Sequence, residues 1–532
     1  MLDRRRVLWG VAAGPLAASL AGRAMAQAAP SREAVTAAMR RATDFMTDKV
    51  AVRGGYVWSY LADFSRRWGE MEAYPTMVWT QAPGTPEMGQ TFLDAYHATG
   101  DEAYYRAAAS AADILVAGQH PSGGWNYIID TAGEDSLRRW YETIGKNGWR
   151  LEEFQHYYGN ATFDDHATVE CGRFLLRLHL KKGEAKYRAA VDKAVSFVLD
   201  SQYPSGGWPQ RYPRLGEFRN HGRPDYTGYI TLNDEVAEEN IDFLLLVLQQ
   251  LKDERVRAPL VKAMELIIAL QQPAPTPGWA MQYTADLKPA AARTYEPISI
   301  TPHGTAAAVE QLLDYYLQTG ERKYLARVGE AIDWLASVEL PRDKWAADGR
   351  NFYRNYEPGT GRLIGTHRRG SNAQNGEYWS DFDTSRVRPE KIIDVPALRA
   401  RYERVSAMSP EEATRDSALL GRGPSLLPRI VVTQVGGSDL NVTAAPQRAS
   451  NAAVIVGELN AEGYWPVELR TTSHPYQGDG PAEPPPGFVD RGQVGDAWDT
   501  SPFTEPSGPM GISTGTYINN MSQLIHYLGE TA

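Results

Sequence analysis

Asp200–Pro213 reads DSQYPSGGWPQRYP, and a near-copy, AGQHPSGGWNYI, stands at Ala117–Ile128. A looser third version, ALQQPAPTPGWAMQY, covers Ala269–Tyr283. The three tryptophans, Trp125, Trp208 and Trp279, are 83 and 71 residues apart. Each interval holds two helices and their loops. A loop that recurs at this spacing marks an architecture of repeated helical pairs.

The intervening segments fit that reading. Four share one pattern: FLDAYHATGDEAYYRAAASAADILVAGQ from Phe92, FLLRLHLKKGEAKYRAAVDKAVSFVLDSQ from Phe174, FLLLVLQQLKDERVRAPLVKAMELIIALQQ from Phe243 and LLDYYLQTGERKYLARVGEAIDWLASVEL from Leu312. An apolar helix meets Gly or Asp punctuation, and an amphipathic helix follows with apolar residues three and four apart. Stacked pairs make an open solenoid or a closed ring. Long aromatic loops favour a ring with one working face. The expected fold is all-α, an (α/α) toroid of helical hairpins whose loops form a groove at one face.

Three regions are expected along the chain. Residues 1–26 have a basic start, a short apolar run and Ala24-Met25-Ala26 as a cleavage site, and so read as an export signal. Arg4-Arg5-Arg6-Val7-Leu8 resembles a twin-arginine signal. Residues 27–390 form the toroid. Residues 391–532 are richer in Pro and Gly, notably GPAEPPPGFVDRGQVGD. Ala452–Leu469 still reads as a helix with a Gly-x-Trp loop, and Thr516–Glu530 as a closing helix, so this region is expected to complete the ring.

The totals restrict function. The 532 residues carry a net charge of −10, and losing residues 1–26 (four arginines, one aspartate) makes it −13. So acidic a product is a poor nucleic-acid binder. Cys171 is the only cysteine, which excludes an intrachain disulfide and a Cys-rich zinc site. A monomer in the periplasm or outside the cell, with no membrane span after signal removal, is expected.

Three stretches carry candidate chemistry. In NATFDDHATVE, Asp164 and Asp165 precede an apolar helix. One aspartate suffices to cap a helix; an adjacent pair also suits a hard cation such as Ca²⁺. In PQRYPRLGEFRNHGRPDYTGYITLNDE, Arg211, Arg214, Arg219, His221 and Arg223 cluster beside Tyr212, Asp225 and Asp234. Arginine forks match carboxylates, and Trp208, Tyr212, Trp279 and Tyr295 are the aromatic candidates to bind sugar. In GWAMQYTADLKPAAARTYEPISI, Arg293 by itself reads as an ion-pair partner of Glu296.

Together, TFDDHAT, YPSGGWPQRYP, YITLND, GWAMQY and ARTYEP resemble the pectate lyases of polysaccharide lyase family 10, the pectic acid lyases, over about Phe92 to Tyr353. The resemblance implies an (α/α) toroid that cleaves polygalacturonate by β-elimination with Ca²⁺. It implies Arg293 as base, Asp164 and Asp165 at the cation, and Arg211 in the substrate groove. The chain departs from the pattern twice. Asp165 stands where the family reads Asn, and Gly228 stands where it carries a further aspartate ligand. Asp225 and Asp234 are the candidates to replace that aspartate.

Other readings compete. QHPSGGW and QYPSGGW fit the Gln-x-x-x-Gly-x-Trp repeat of terpene-type cyclases, but no Asp-x-Asp-Asp motif accompanies them. A glycoside hydrolase would pair Asp164 or Asp165 with Asp234 or Glu235. A non-catalytic uronate-binding protein would keep the groove and lose the metal.

Overall fold

Punctuation in the sequence sets the helical pairs. Asp101 and Asp253 each begin the second arm of a hairpin, their carboxylates accepting from the N–H two residues on, at 2.9 and 3.1 Å. The structure, a computed structural model, describes residues 29–147, 151–219, 223–293, 295–369, 377–385, 387–431, 451–469 and 510–530. The export segment, His221 and the Pro/Gly-rich stretch from Gly480 lie outside them.

Among the described residues the chain begins with α1 (Arg32–Phe45). Four hairpins use α2 (Thr85–Thr99) and α3 (Glu102–Ala117), then α5 (Ala167–Lys182) and α6 (Ala185–Asp200), α7 (Val236–Leu251) and α8 (Arg257–Leu270), and α9 (Pro302–Thr319) and α10 (Val328–Val338). A short α4 (Glu134–Thr143) lies in a loop, and α11 (Val395–Ser406) packs on α9 and α10. The chain continues through α12 (Pro410–Ala413) and α13 (Ala452–Glu458) to α14 (Thr514–Glu530). The fold is an (α/α) toroid. The inner helix α2 packs on α5, and α5 on α7. The last helix, α14, packs on α2 and on α1, which also meets α13.

The Gly-Gly-Trp loops are the joints of the ring. Gly123 and Gly206 both have φ of +105°, and a Cβ there would meet the carbonyl oxygens of Lys193 and Lys262 at 2.2 and 2.6 Å. Only glycine lets each loop lie against the outer helix of the next pair. The indoles of Trp125, Trp208 and Trp279 donate back to Leu115, Val198 and Ile267. Their carbonyls accept from Thr162, Thr231 and Thr301, at the head of the next inner helix. Gln119, Gln202 and Gln271 bridge from the loop to the next pair. Trp465 repeats the indole bond, to Ile455.

The inner helices therefore start together at one end of the ring. There, short antiparallel pairings link neighbouring loops: 77–79 with 128–130, 161–162 with 211–212, and 230–231 with 282–283. At the opposite end, residues 424–431 cross the inner helices. Gln249 donates to the Pro424 carbonyl at 2.8 Å, and the Val431 N–H reaches Asp94 at 3.0 Å. The buried Arg177 pairs with Asp94 and donates to the Arg429 carbonyl at 2.6 Å. No described helix is long and apolar enough to cross a membrane.

Candidate active site

Two equivalent turns build the site. TFDDHA and TLNDEV each lead from a two-residue strand into an inner helix. Each has two successive non-glycine residues in the left-handed region: Asp165 (φ 46°) and His166 (φ 63°) before α5, Asp234 (φ 49°) and Glu235 (φ 55°) before α7. Such backbone costs of order 1–2 kcal/mol per residue and persists where its surroundings hold it. The turns pack on one another. His166 bridges them, Nε2 lying 3.4 Å from Glu235 and Nδ1 3.4 Å from Glu239. Burial disfavours its charged form, but Glu239 and Glu235 hold its pKa well above the ordinary value.

Arg293 fills the centre. Its Nη2 donates to Asp164 Oδ2 at 2.9 Å and its Nε to Glu153 Oε2 at 3.1 Å. Nη1 lies 3.5 Å from both Asp234 and Glu296. Burial acts against the cation, yet Glu153 and the other neighbouring carboxylates hold Arg293 well above its usual pKa. Tyr127 donates its hydroxyl to Asp164, and Gln81 donates to Asp165 at 2.6 Å and to Glu70 at 3.0 Å.

The carboxylates outnumber the cations. Glu70, Glu153, Asp164, Asp165, Asp234 and Glu296 surround Arg293, with Arg354 beside Glu296 at 3.5 Å. Burial and the charges of Asp164 and Glu153 push Asp165 up to about 7. Burial with Asp164 and Asp165 raises Asp234. Burial would raise Asp164 too, but Arg293, Asp234 and the Tyr127 hydroxyl hold it low. Asp164 Oδ1 is buried without a hydrogen bond. Hard oxygen donors with surplus negative charge are the chemistry a divalent cation takes. The guanidinium of Arg293 stands among these donors, and among the described residues no three His, Cys, Asp or Glu side chains are grouped to hold a metal.

The structure brings Asp164, Asp165, Asp234 and Arg293 together, and it corrects four other expectations. Trp208 and Trp279 are fully buried, with their indoles committed to helix carbonyls, so neither offers a face to a sugar. Asp225 caps its own turn, accepting from the Thr227 N–H and hydroxyl at 2.9 and 2.7 Å, with its other oxygen toward Phe218 and Arg214. Both its oxygens are engaged away from the cluster. Arg211 is enclosed rather than groove-lining, 1% exposed between the rings of Tyr127 and Tyr158. It donates to Asn126 at 3.1 Å. At Gly228 a Cβ would lie 2.5 Å from Arg214 Nη1, so an arginine covers the place of the expected aspartate. Tyr212 is half-buried against Phe197, and Tyr295 is half-buried within electrostatic reach of Arg293.

Sequence reasoning missed Glu70, Glu153, Gln81, Tyr127 and Arg354. The available signal was acid embedded among aromatics, in WGEMEAYP (Trp68–Pro75) and LEEFQHYY (Leu151–Tyr158).

No curated protein sequence matches the chain. Among solved structures it is similar to a family 10 polysaccharide lyase from Cellvibrio cellulosa, at 19% identity and TM-score 0.35, covering 60% of this chain and 91% of that one. It is also similar to a D-mannose isomerase (11%, TM-score 0.40, 96% and 100% covered). A third is the GH76A α-1,6-mannanase of Salegentibacter sp. HEL1_6 (11%, TM-score 0.35, 93% and 98% covered). The family model described as pectic acid lyase matches residues 135–347, a span that holds Glu153, Asp164, Asp165, Asp234, Arg293 and Glu296. That match supports a lyase acting on polysaccharides, and it is to the pectic acid lyase family that residues 135–347 of this chain are matched.

Proposed function

We propose that the protein cleaves polygalacturonate, or a related uronate polymer, by β-elimination, with Arg293 as the base. The observation that carries this reading is the Arg293 guanidinium held among Glu153, Asp164, Asp234 and Glu296 inside the matched span. Elimination removes the proton on C5, next to the uronate carboxylate, and breaks the C4–O4 bond. The electrons of the C5–H bond become the C4–C5 double bond, and the C4–O4 pair leaves on O4, which takes up a proton from solvent. Glu153 and Glu296 orient Arg293 through Nε and Nη1, leaving the Asp164 side of the guanidinium as the place of exchange. In the free site these carboxylates keep Arg293 protonated. Its use as a base therefore requires part of their charge to be engaged elsewhere.

Asp164, Asp165 and Asp234 are the residues that would offer oxygens to Ca²⁺, once side chains that are not now grouped around one point are drawn together. When bound, that ion supplies positive charge against the uronate carboxylate and so acidifies the C5 proton. Residues 1–26 read as an export signal, so we place the mature protein, as a monomer, in the periplasm or beyond.

A glycoside hydrolase is the second reading. It is favoured by the divergence of neighbouring carboxyls, Asp164 held low and Asp165 raised to about 7. One assay separates the two. Ultraviolet absorbance is followed during incubation with polygalacturonate, with Ca²⁺ and with chelator. A Ca²⁺-dependent rise is expected, from unsaturated uronate ends. New reducing ends without a rise would mean hydrolysis, and neither signal would leave a binding protein.

A further inference from the structure

The ring itself does not require the left-handed turns of the cluster. The inner helices before and after α5 and α7 begin without them: α2 follows Gly84 (φ −79°) and α9 follows Thr301 (φ −114°). Ahead of α5 and α7, two successive non-glycine residues hold positive φ instead, a conformation that only the surroundings can maintain. The strand side of each turn is tied to the next loop. Phe163 N–H donates to Gln210 at 2.9 Å, and the Leu232 and Asn233 N–H groups donate to Met281 at 2.8 and 3.0 Å. The left-handed residues are held by side chains. Gln81 holds Asp165, and Asn233 donates to Asp234 at 2.6 Å. His166 and Glu235, the second residue of each turn, meet one another.

His166 faces a carboxylate from each ring nitrogen, Glu235 at Nε2 and Glu239 at Nδ1, both at 3.4 Å. Only the doubly protonated ring has a donor on each nitrogen. All three side chains are half-buried, so the pairing is screened less than one on the surface. Glu239 is gripped from its other side by Arg173 of α5, which also holds Glu170 at 2.8 Å. One imidazolium thus ties the turn before α5 both to the turn before α7 and to α7 itself. The ion pairs of Arg293 go to Glu153, Asp164, Asp234 and Glu296. The tie therefore acts one residue behind Asp165 and Asp234. Rotation of either turn about its left-handed pair would move one aspartate away from the other.

We propose that His166 is a positioning residue: through Glu235 and Glu239 it locks the two turns together and so sets the spacing of Asp164 and Asp165 from Asp234 around Arg293. The catalytic meaning of that spacing rests on the lyase reading; the lock does not.

His166→Asn separates backbone from clamp, because asparagine enters the left-handed region readily but carries no charge to share between two carboxylates. Hydrogen exchange followed by mass spectrometry reads the lock. Peptides covering 163–167 and 232–236 should both exchange about tenfold faster than in the wild type, although only the first contains the substitution. The thermal midpoint should stay within about 4 °C. Elimination of polygalacturonate should lose about tenfold or more in kcat, with KM within about threefold. Glu235→Gln should reproduce most of both effects, and His166→Asn/Glu235→Gln should be no worse than His166→Asn alone. Wild-type exchange over 232–236 in His166→Asn would overturn the lock, whatever the activity. Faster exchange there with unchanged kcat would overturn the positioning role while leaving the lyase intact. Coupled exchange in a protein that forms no unsaturated ends would keep the lock and sink the lyase reading.

Discussion

Arg293 is both a candidate base and the main neutralising charge of a buried acidic cluster, and its variants should separate the two roles. Arg293→Ala should lose turnover and also stability, by about 3–5 kcal/mol, because buried carboxylates are left uncompensated. Arg293→Lys keeps a cation but not the fork that meets Glu153, Asp164 and Glu296 together. It should stay folded by circular dichroism, with kcat down by about 10²-fold or more. Wild-type kcat in the lysine variant would remove Arg293 from the chemistry. Trp208 gives the converse test. Trp208→Ala should cost about 3–5 kcal/mol in denaturant unfolding with KM unaltered, since the indole packs under the loop rather than against substrate. The residues that could be read in advance, Asp164, Asp165, Asp234 and Arg293, sit in compact motifs. Glu153 could not be read as their partner. It lies 140 positions before Arg293, and only the curvature of the ring brings the two together.

At the scale of elements, the hairpins were foreseeable because each carries its own punctuation and each joint repeats one set of bonds. Loop faces were harder to read. An arginine or tryptophan in a loop looks available until the neighbouring repeat covers it, as Tyr127 and Tyr158 cover Arg211. The crossing segment 424–431 was not foreseeable, because its contacts are with residues of α2, α5 and α7 far earlier in the chain. It makes a pH-dependent prediction. Burial and the charge of Arg177 lower His97 from 6.5 to about 4. The unfolded chain therefore takes up this proton before the folded one does. The stability tied to a neutral His97 is complete above about pH 6.5 and is lost as the pH falls toward 4. The protection factor of the Val431 amide should fall across that window, and His97→Gln should flatten the dependence. Equal protection factors at pH 4 and pH 7 in the wild type would disconnect His97 from the crossing segment.

At the scale of the molecule, the two ends of the chain share one wall. Thr43 of α1 and Tyr517 of α14 join hydroxyls at 2.6 Å, and Tyr517 also packs its ring against Phe92 of α2. A chain truncated before Thr514 should show no cooperative thermal transition, because the faces of α1 and α2 lose their cover. A native melt in that truncation would mean that α14 is dispensable. The adjacency also bears on how the protein is made. A ribosome delivers α1 and α2 more than four hundred residues before the helix that covers them. Until Thr514–Glu530 is made the nascent protein is an arc with an apolar edge, and closure can come only after that helix is read. The time from first helix to finished ring is thus set by the stretch of message between α1 and α14, and anything that shields that edge meanwhile acts on this protein throughout that stretch.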